Sequence, residues 1–156
     1  MSGITIRAAT EADLAALERV LVEAFLADHT RYIPEAVDPR IVRAFGADLV
    51  GQRWAAMALA QVGGEPVGML YVEGPRIEAI NILPAFQRRG IGTALMDWAE
   101  PRMAAAGVME GTLDTQEANA PARAFYAARG YRVVRCWLQS AFTKVPIPTV
   151  TMAKRL

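Results

Sequence analysis

The stretch that most constrains this chain is Gln87-Arg88-Arg89-Gly90-Ile91-Gly92. It stands between an apolar run with strand character, Ile80-Asn81-Ile82-Leu83-Pro84, and a run at helical spacing that begins Thr93-Ala94-Leu95-Met96-Asp97-Trp98. Two glycines one residue apart, neither with a Cβ, let the backbone turn tightly and approach a ligand. The free N–H groups in the first turn of the following helix, together with its dipole, favour an anion there. The forked donors of Arg88 and Arg89 suit phosphate oxygens. Strand, glycine turn and helix in this order read as a cradle for a pyrophosphate. The competing reading is a helix start that happens to be rich in glycine and arginine.

Two familiar phosphate loops do not fit. The dinucleotide fingerprint needs a third glycine three residues after the second, where this chain has Leu95. The triphosphate loop ends in Gly-Lys-Ser/Thr, a tripeptide the chain lacks.

Length and composition limit the setting. At 156 residues the chain is expected to form one domain, 1–156, around one core. A hydrophobic fraction of 53% and a charged fraction of 21% belong to a folded protein. The net charge of +1 gives no basic field, so no nucleic-acid partner is expected. One cysteine, Cys136, allows no internal disulfide, and with a single histidine, His29, no metal site is expected. Cys136 is expected to be a buried small residue and not a nucleophile. Arg7, Glu11 and Asp13 speak against a signal peptide, and no run reaches the ~18 apolar residues of a membrane helix. A soluble, cytoplasmic protein with no membrane partner is the expectation, with homodimerisation left open.

Along the chain, Ile4-Thr5-Ile6-Arg7 alternates as a first strand. Thr10-Glu11-Ala12-Asp13 reads as a helix cap with an acid at the third helical position. Leu14, Leu17, Leu21, Ala24 and Phe25 continue that helix to about Leu26. Asp28 to Pro34 reads as a loop. Asp38-Pro39 starts a second, shorter helix that continues through Ile41, Phe45 and Leu49. Trp54 to Val62 reads as a strand, its alanines leaving helix as an alternative, and Gly63-Gly64 as a hairpin turn to a strand over Val67 to Val72. After Gly74-Pro75, Arg76 to Leu83 forms the strand that enters the glycine loop, and Pro84 ends it. In the next helix Pro101 costs ~3 kcal/mol in an interior position, which predicts a bend or an early end near Glu100. Val108 to Leu113 is a strand, Asn119-Ala120-Pro121 opens a helix that Gly130 stops, and strands follow over Tyr131 to Leu138 and Thr149 to Lys154. Gln139 to Pro148 reads as a loop.

The glycine loop resembles the acetyl-CoA loop, Gln/Arg-x-x-Gly-x-Gly, of the GNAT superfamily of N-acetyltransferases, and three further blocks fall where that family has them. Ile80-Asn81-Ile82-Leu83-Pro84 is similar to the strand before the loop. Leu113-Asp114-Thr115-Gln116-Glu117-Ala118-Asn119 is similar to the end of the fifth strand and the Asn that opens the next helix. Ala124-Phe125-Tyr126-Ala127-Ala128-Arg129-Gly130-Tyr131 is similar to the aliphatic-Tyr-x-x-x-Gly-Phe/Tyr signature. The resemblance covers nearly the whole chain. It implies an α+β fold with α/β-type layers: a central mixed, mostly antiparallel sheet flanked by helices and splayed between strands 4 and 5.

The resemblance further implies an acetyl-CoA-dependent transfer to a primary amine. Acetyl-CoA would be the co-substrate, contacted by Ile80, Asn81, Ile82, Arg88, Arg89, Gly90, Ile91, Gly92, Thr93 and Asn119. An alkylamine is mostly protonated near neutrality, so a group must take its proton, and the developing oxyanion needs a donor. Tyr126 matches the family tyrosine that serves as general acid, and core packing is its plainer role. Many relatives carry a Glu where this chain has Arg76. Glu78, two residues on, shares its face unless a bulge intervenes, and Asp114 matches an alternative acid on the fifth strand. Both fit equally well as solvated carboxylates, and a water chain needs neither. Asn119 suits a helix cap as well as the pantetheine arm.

For the acceptor side the chain offers Asp28, His29, Tyr32, Trp137 and Phe142, a set suited to a small amine with an apolar body. The alternatives are acetylation of a protein N-terminus or lysine, and an acyl-CoA-binding module without turnover.

Overall fold

The computed structural model describes residues 3–32, 37–140 and 145–156. Seven strands form one sheet: β1 (Ile4–Ala8), β2 (Met57–Val62), β3 (Glu65–Glu73), β4 (Arg76–Ile82), β5 (Glu110–Gln116), β6 (Arg132–Gln139) and β7 (Ile147–Arg155). Their order across the sheet is β1-β2-β3-β4-β5-β7-β6. Four helices flank it: α1 (Leu14–Tyr32), α2 (Pro39–Arg53), α3 (Ile91–Ala105) and α4 (Ala120–Ala128). Every neighbouring pair of strands is antiparallel except β4–β5, which is parallel. This is the mixed, helix-flanked sheet that the resemblance implies.

The middle of the sheet is buried on both faces, and β2 shows how. Met57 and Leu59 join Leu17, Val20 and Leu21 of α1, whereas Ala58 and Ala60 join Leu95, Met96 and Ala99 of α3. A period of two sends alternate side chains to opposite layers. The alanines that leave helix open as a reading are small because the start of α3 lies close. A Cβ on Gly68 of β3 would stand 3.2 Å from both the Ala60 Cβ and Ile91 Cγ2. The residues at 54–56 form a short 3-10 turn, so β2 begins at Met57 and not at Trp54.

Two expectations about the helices need correction, those for α1 and α3, and the inward face of α2 is set by packing. The first helix does not stop at Leu26 but runs to Tyr32, carrying Asp28, His29 and Arg31 as helical residues instead of loop residues. Its entry is as expected: the Thr10 N–H donates to Asp13 at 2.8 Å, and Arg7 holds both Asp13 oxygens at 2.7 and 2.8 Å. In α2 the inward residues are Val42, Gly46 and Val50, while Ile41 and Phe45 are exposed. Two stripes of spacing four lie side by side on this helix. The stripe that packs is the one with the glycine, because a Cβ at 46 would come within 2.7 Å of Val22 Cγ2 on α1. In α3, Pro101 does not end the helix at Glu100; the helix continues to Ala105. Met103 is buried in the core, and the Glu100 carboxylate accepts from Arg129 (2.8 Å), Tyr131 (2.8 Å) and Lys154 (3.0 Å), which fixes the proline turn from outside the helix.

β6 is an edge strand, and Cys136 upon it is exposed, contrary to the buried position expected. β6 reaches Gln139 and pairs it with Ile147, so the loop expected over 139–148 is shorter. Among the described residues no helix is long and apolar enough to cross a membrane.

What positions the site is the junction of β4 and β5. They pair only at Arg76↔Thr112 and Ile77↔Leu113 and share no further register. Beyond it, residues 78–82 of β4 and 114–116 of β5 present edges that do not pair with each other.

Candidate active site at the strand splay

The glycine loop follows a 3-10 turn over Pro84–Phe86, tied back by the Gln87 side-chain amide to the Ile82 carbonyl at 3.2 Å. Arg88 and Gly90 both take left-handed backbone angles, φ 62° and φ 85°. Gly90 is glycine because that conformation carries a strain of about 1 kcal/mol for a residue with a Cβ, a strain Arg88 bears. Backbone that alternates in this way turns successive N–H groups toward one concavity, a form suited to anions. Gly90 is also the N-cap of α3 and supplies no side-chain acceptor, so no capping group covers the first-turn N–H groups of Ile91, Gly92 and Thr93. Gly92 is different. A Cβ there would sit 3.4 Å from Phe125 Cζ and 3.6 Å from Ile82 Cδ1, an ordinary contact, so packing alone does not demand glycine.

The splay opens into a cavity of about 900 Å³. Of the residues singled out from sequence, Glu78, Ile80, Asn81, Asp114, Asn119 and Tyr126 line it, while Ile82 and the loop from Arg88 to Thr93 do not. Ile80 and Ile82 pack toward the α3 layer. Asn81 Oδ1 is buried without a donor among the described residues. Asn119 caps α4, its Oδ1 accepting from the Ala122 N–H at 3.1 Å, and its amide nitrogen still has donors to offer.

Tyr126 is buried on α4, its ring edge-on to Phe125 at 5.2 Å and to Tyr131 at 5.9 Å. Burial, and then the charge of Asp28, push its phenol well above the usual tyrosine range. The hydroxyl therefore keeps its proton near neutrality and is available as a donor to a group in the cavity.

The two candidate carboxylates are joined by a residue that the sequence offered no reason to single out as a partner. Arg76 binds Asp114 at 2.6 Å through Nη2 and Glu78 through Nε. The register of β3 against β4 skips Glu78, with Tyr71 opposite Ala79 and Val72 opposite Ile77. A bulge therefore does intervene, and the side chains of 76 and 78 meet across it. Asp114 also accepts from Thr151 Oγ1 at 2.5 Å, and Thr151 in turn accepts from Trp137 Nε1 at 3.1 Å. Both Asp114 oxygens are thus occupied, whereas Arg76 takes a single oxygen of Glu78. The Thr151 and Arg76 contacts link residues more than 35 positions apart, which is why no local pattern showed them.

On the α1 wall, Asp28 and His29 line the cavity and Tyr32 does not. Burial raises the Asp28 carboxyl above its usual value, opposed by a hydrogen bond from Gln87 and the charge of Arg31. His29 stacks on Phe25 at 3.6 Å, and its Nδ1 lies 3.1 Å from the Phe25 carbonyl, as for a donated hydrogen bond. Burial lowers its pKa to about 4, so near neutrality it is an uncharged aromatic surface. Trp137 lines the cavity from β6, and Phe142 lies outside the described residues. Among the described residues no group of three or more His, Cys, Asp or Glu side chains is placed to hold a metal ion.

Comparison with known proteins places this geometry. The acetyltransferase (GNAT) family profile matches residues 15–131. Similar solved structures include a GCN5-related N-acetyltransferase from Rhodopseudomonas palustris, with TM-score 0.77 and 23% identity over 100% of this chain and 98% of that one. Another is the PaiA N-acetyltransferase from Thermoplasma acidophilum in complex with coenzyme A, with TM-score 0.73 and 18% identity over 100% of both chains. A third is the ribosomal-protein-S18-alanine N-acetyltransferase from Escherichia coli, with TM-score 0.69 and 20% identity over 97% of this chain and 93% of that one. Among curated protein sequences no relative matches. With three quarters of its length matched to the family and the fold shared with these structures, the chain belongs to the acetyltransferase (GNAT) family, the acetyl-CoA-dependent N-acetyltransferases.

Proposed function

We propose that this enzyme transfers the acetyl group of acetyl-CoA directly to a primary amine on a small molecule. The observation that carries the proposal is the buried Tyr126, which retains its proton and lines the cavity opened by the splay. The residues present fit the co-substrate. Arg88, Arg89 and the uncapped N–H groups of Ile91, Gly92 and Thr93 after left-handed Gly90 would hold the pyrophosphate. The unpaired edge of Ile80, Asn81 and Ile82, with the orphaned Asn81 Oδ1 and the Asn119 amide, would hold the amide-bearing pantetheine arm. When bound, acetyl-CoA supplies the acetyl group as an activated thioester.

The chain's own residues supply the proton movements. Tyr126 donates its proton to the leaving sulfur. Glu78, with one oxygen not taken by Arg76, accepts the proton of the amine and passes it to solvent at the open mouth. Asp114, with both oxygens engaged, positions Arg76. Backbone at the Glu78 bulge, skipped by β3, is available to the developing oxyanion.

The concave cavity bounded by α1 and α2 favours a small acceptor over an open groove. A protein N-terminus or lysine is the second reading, favoured by exposed Phe45 and Leu138 at the cavity. In either reading residues 1–156 act as one domain, and the cytoplasm is the compartment in which an exposed thiol such as Cys136 stays reduced.

The test is Tyr126→Phe, assayed by release of free CoA across a panel of amines. Turnover is expected to fall ~100-fold or more, with CoA affinity unchanged. Full turnover by the variant would show that Tyr126 is not the acid.

A further inference from the structure

The charged groups around the acceptor half of the cavity do not balance. The lining arginines are both matched: Arg76 by Glu78 and Asp114, and Arg53 by Glu73 at 3.7 Å. Among the described residues no lining cation is left over for a carboxylate on a ligand, and His29 is neutral. Asp28 is in the opposite condition. It lines the cavity beside Tyr126, it is partly buried, and among the described residues no salt bridge closes on it; the Gln87 amide is its hydrogen-bond partner. Three residues of helix remain between it and the last residue of α1, so the negative end of that dipole adds to its need for a positive charge. The charge of Arg31 reaches Asp28 without an ion pair and does not offset its burial, so a ligand that brings a cation into contact relieves the remaining cost.

A second observation points the same way. Gln116 Oε1 and Gln139 Oε1 are both buried without a donor among the described residues, and both residues line this cavity. Gln116 stands opposite Thr149 and Gln139 opposite Ile147, two residues apart on β7, so the two glutamines share one face of the sheet. Buried side-chain carbonyl oxygens without partners call for N–H or O–H donors from a ligand. Between these polar groups the wall is aromatic, made of Phe25, Phe45 and Trp137.

Resting on the acetyltransferase reading, we infer that Asp28 receives the cationic head of the acceptor, and that the acceptor is a primary amine with an apolar body and no carboxylate. The donors of an ammonium group meet Asp28, the apolar body lies on the aromatic wall, and a carboxylate would face an acidic cavity whose arginines are already engaged.

The test uses the full chain loaded with CoA and three probes of one shape: 2-phenylethylamine, phenylalanine and 2-phenylethanol. Binding is followed by calorimetry and acetyl transfer by CoA release. 2-Phenylethylamine is expected to bind at least ~10-fold more tightly than the other two. Asp28→Asn should raise its Kd and KM ~10-fold or more while CoA affinity and melting temperature stay near wild type. Glu78→Gln should instead lower kcat. Three results overturn the assignment: no binding of 2-phenylethylamine, equal binding of phenylalanine, or an Asp28→Asn variant that binds the amine as wild type does. Failure of CoA itself to bind would instead overturn the acetyltransferase reading on which the assignment rests.

Discussion

Asp13 shows how one residue's environment becomes a property of the protein. The Arg7 guanidinium holds both of its oxygens, the Thr10 N–H donates to it, and together they lower its carboxyl well below the usual range. A carboxyl whose folded pKa is depressed contributes stability above its unfolded pKa of about 3.9 and loses it as pH falls toward the folded value. Melting curves are therefore expected to show wild type losing stability below about pH 4, with Asp13→Asn less stable at pH 7 and shallower in its acid slope. Equal acid slopes would contradict this role. The two loop glycines teach a related lesson. Their spacing is visible in sequence, but their reasons differ: Gly90 answers to a backbone angle, whereas Gly92 has room for a Cβ within the protein. Arg76 was noticed in sequence only as the wrong residue for a base. Its work as the link between Glu78 and Asp114 depends on side chains that meet only after folding.

At the scale of elements, the strands and the loop-helix unit were legible because period-two alternation, paired glycines and capping residues are local signals. The helix faces were less so. On α2 the apolar stripe of Ile41, Phe45 and Leu49 competes with Val42, Gly46 and Val50, and hydrophobicity alone selects the first. Close approach to Val22 selects the second, a tertiary fact carried by a residue with no side chain. Helix propensity favours Ala over Gly by about 1 kcal/mol in a helix interior. Overpacking against a stiff, branched Val22 costs ~1–3 kcal/mol. Gly46→Ala is thus expected to lower stability by ~1 kcal/mol net, and Val22→Ala in the same chain to recover part of the loss. Thermal melts of the single and double variants decide this, and a Gly46→Ala protein more stable than wild type would contradict the packing. The extra length of α1 escaped the sequence for a related reason. Asp28, His29 and Arg31 look like loop residues, yet Asp28 and His29 belong to the part of the helix that walls the cavity.

For the molecule as a whole, the splay between β4 and β5 is the organising event. Two register pairs hold the strands at one end, and their divergence creates the cavity into which Tyr126, Asn119, Asn81 and the Arg76 cluster are delivered from β4, β5 and α4. The cofactor side of this arrangement could be anticipated because it is written in contiguous blocks, above all residues 80–92. Of the acceptor side only Asp28, His29 and Trp137 could be named, and Phe45, Gln116 and Gln139 escaped because they come together from α2, β5 and β6 with no common motif. In the proposed function the left-handed loop after β4 seats the pyrophosphate of CoA. Calorimetric titration of CoA into wild type and Gly92→Val tests it most directly, with the melting temperature of the variant recorded alongside. Saturable binding to wild type is expected, with a loss of at least ~10-fold in affinity in the variant and its fold intact. No binding to wild type, or undiminished binding to Gly92→Val, would contradict it.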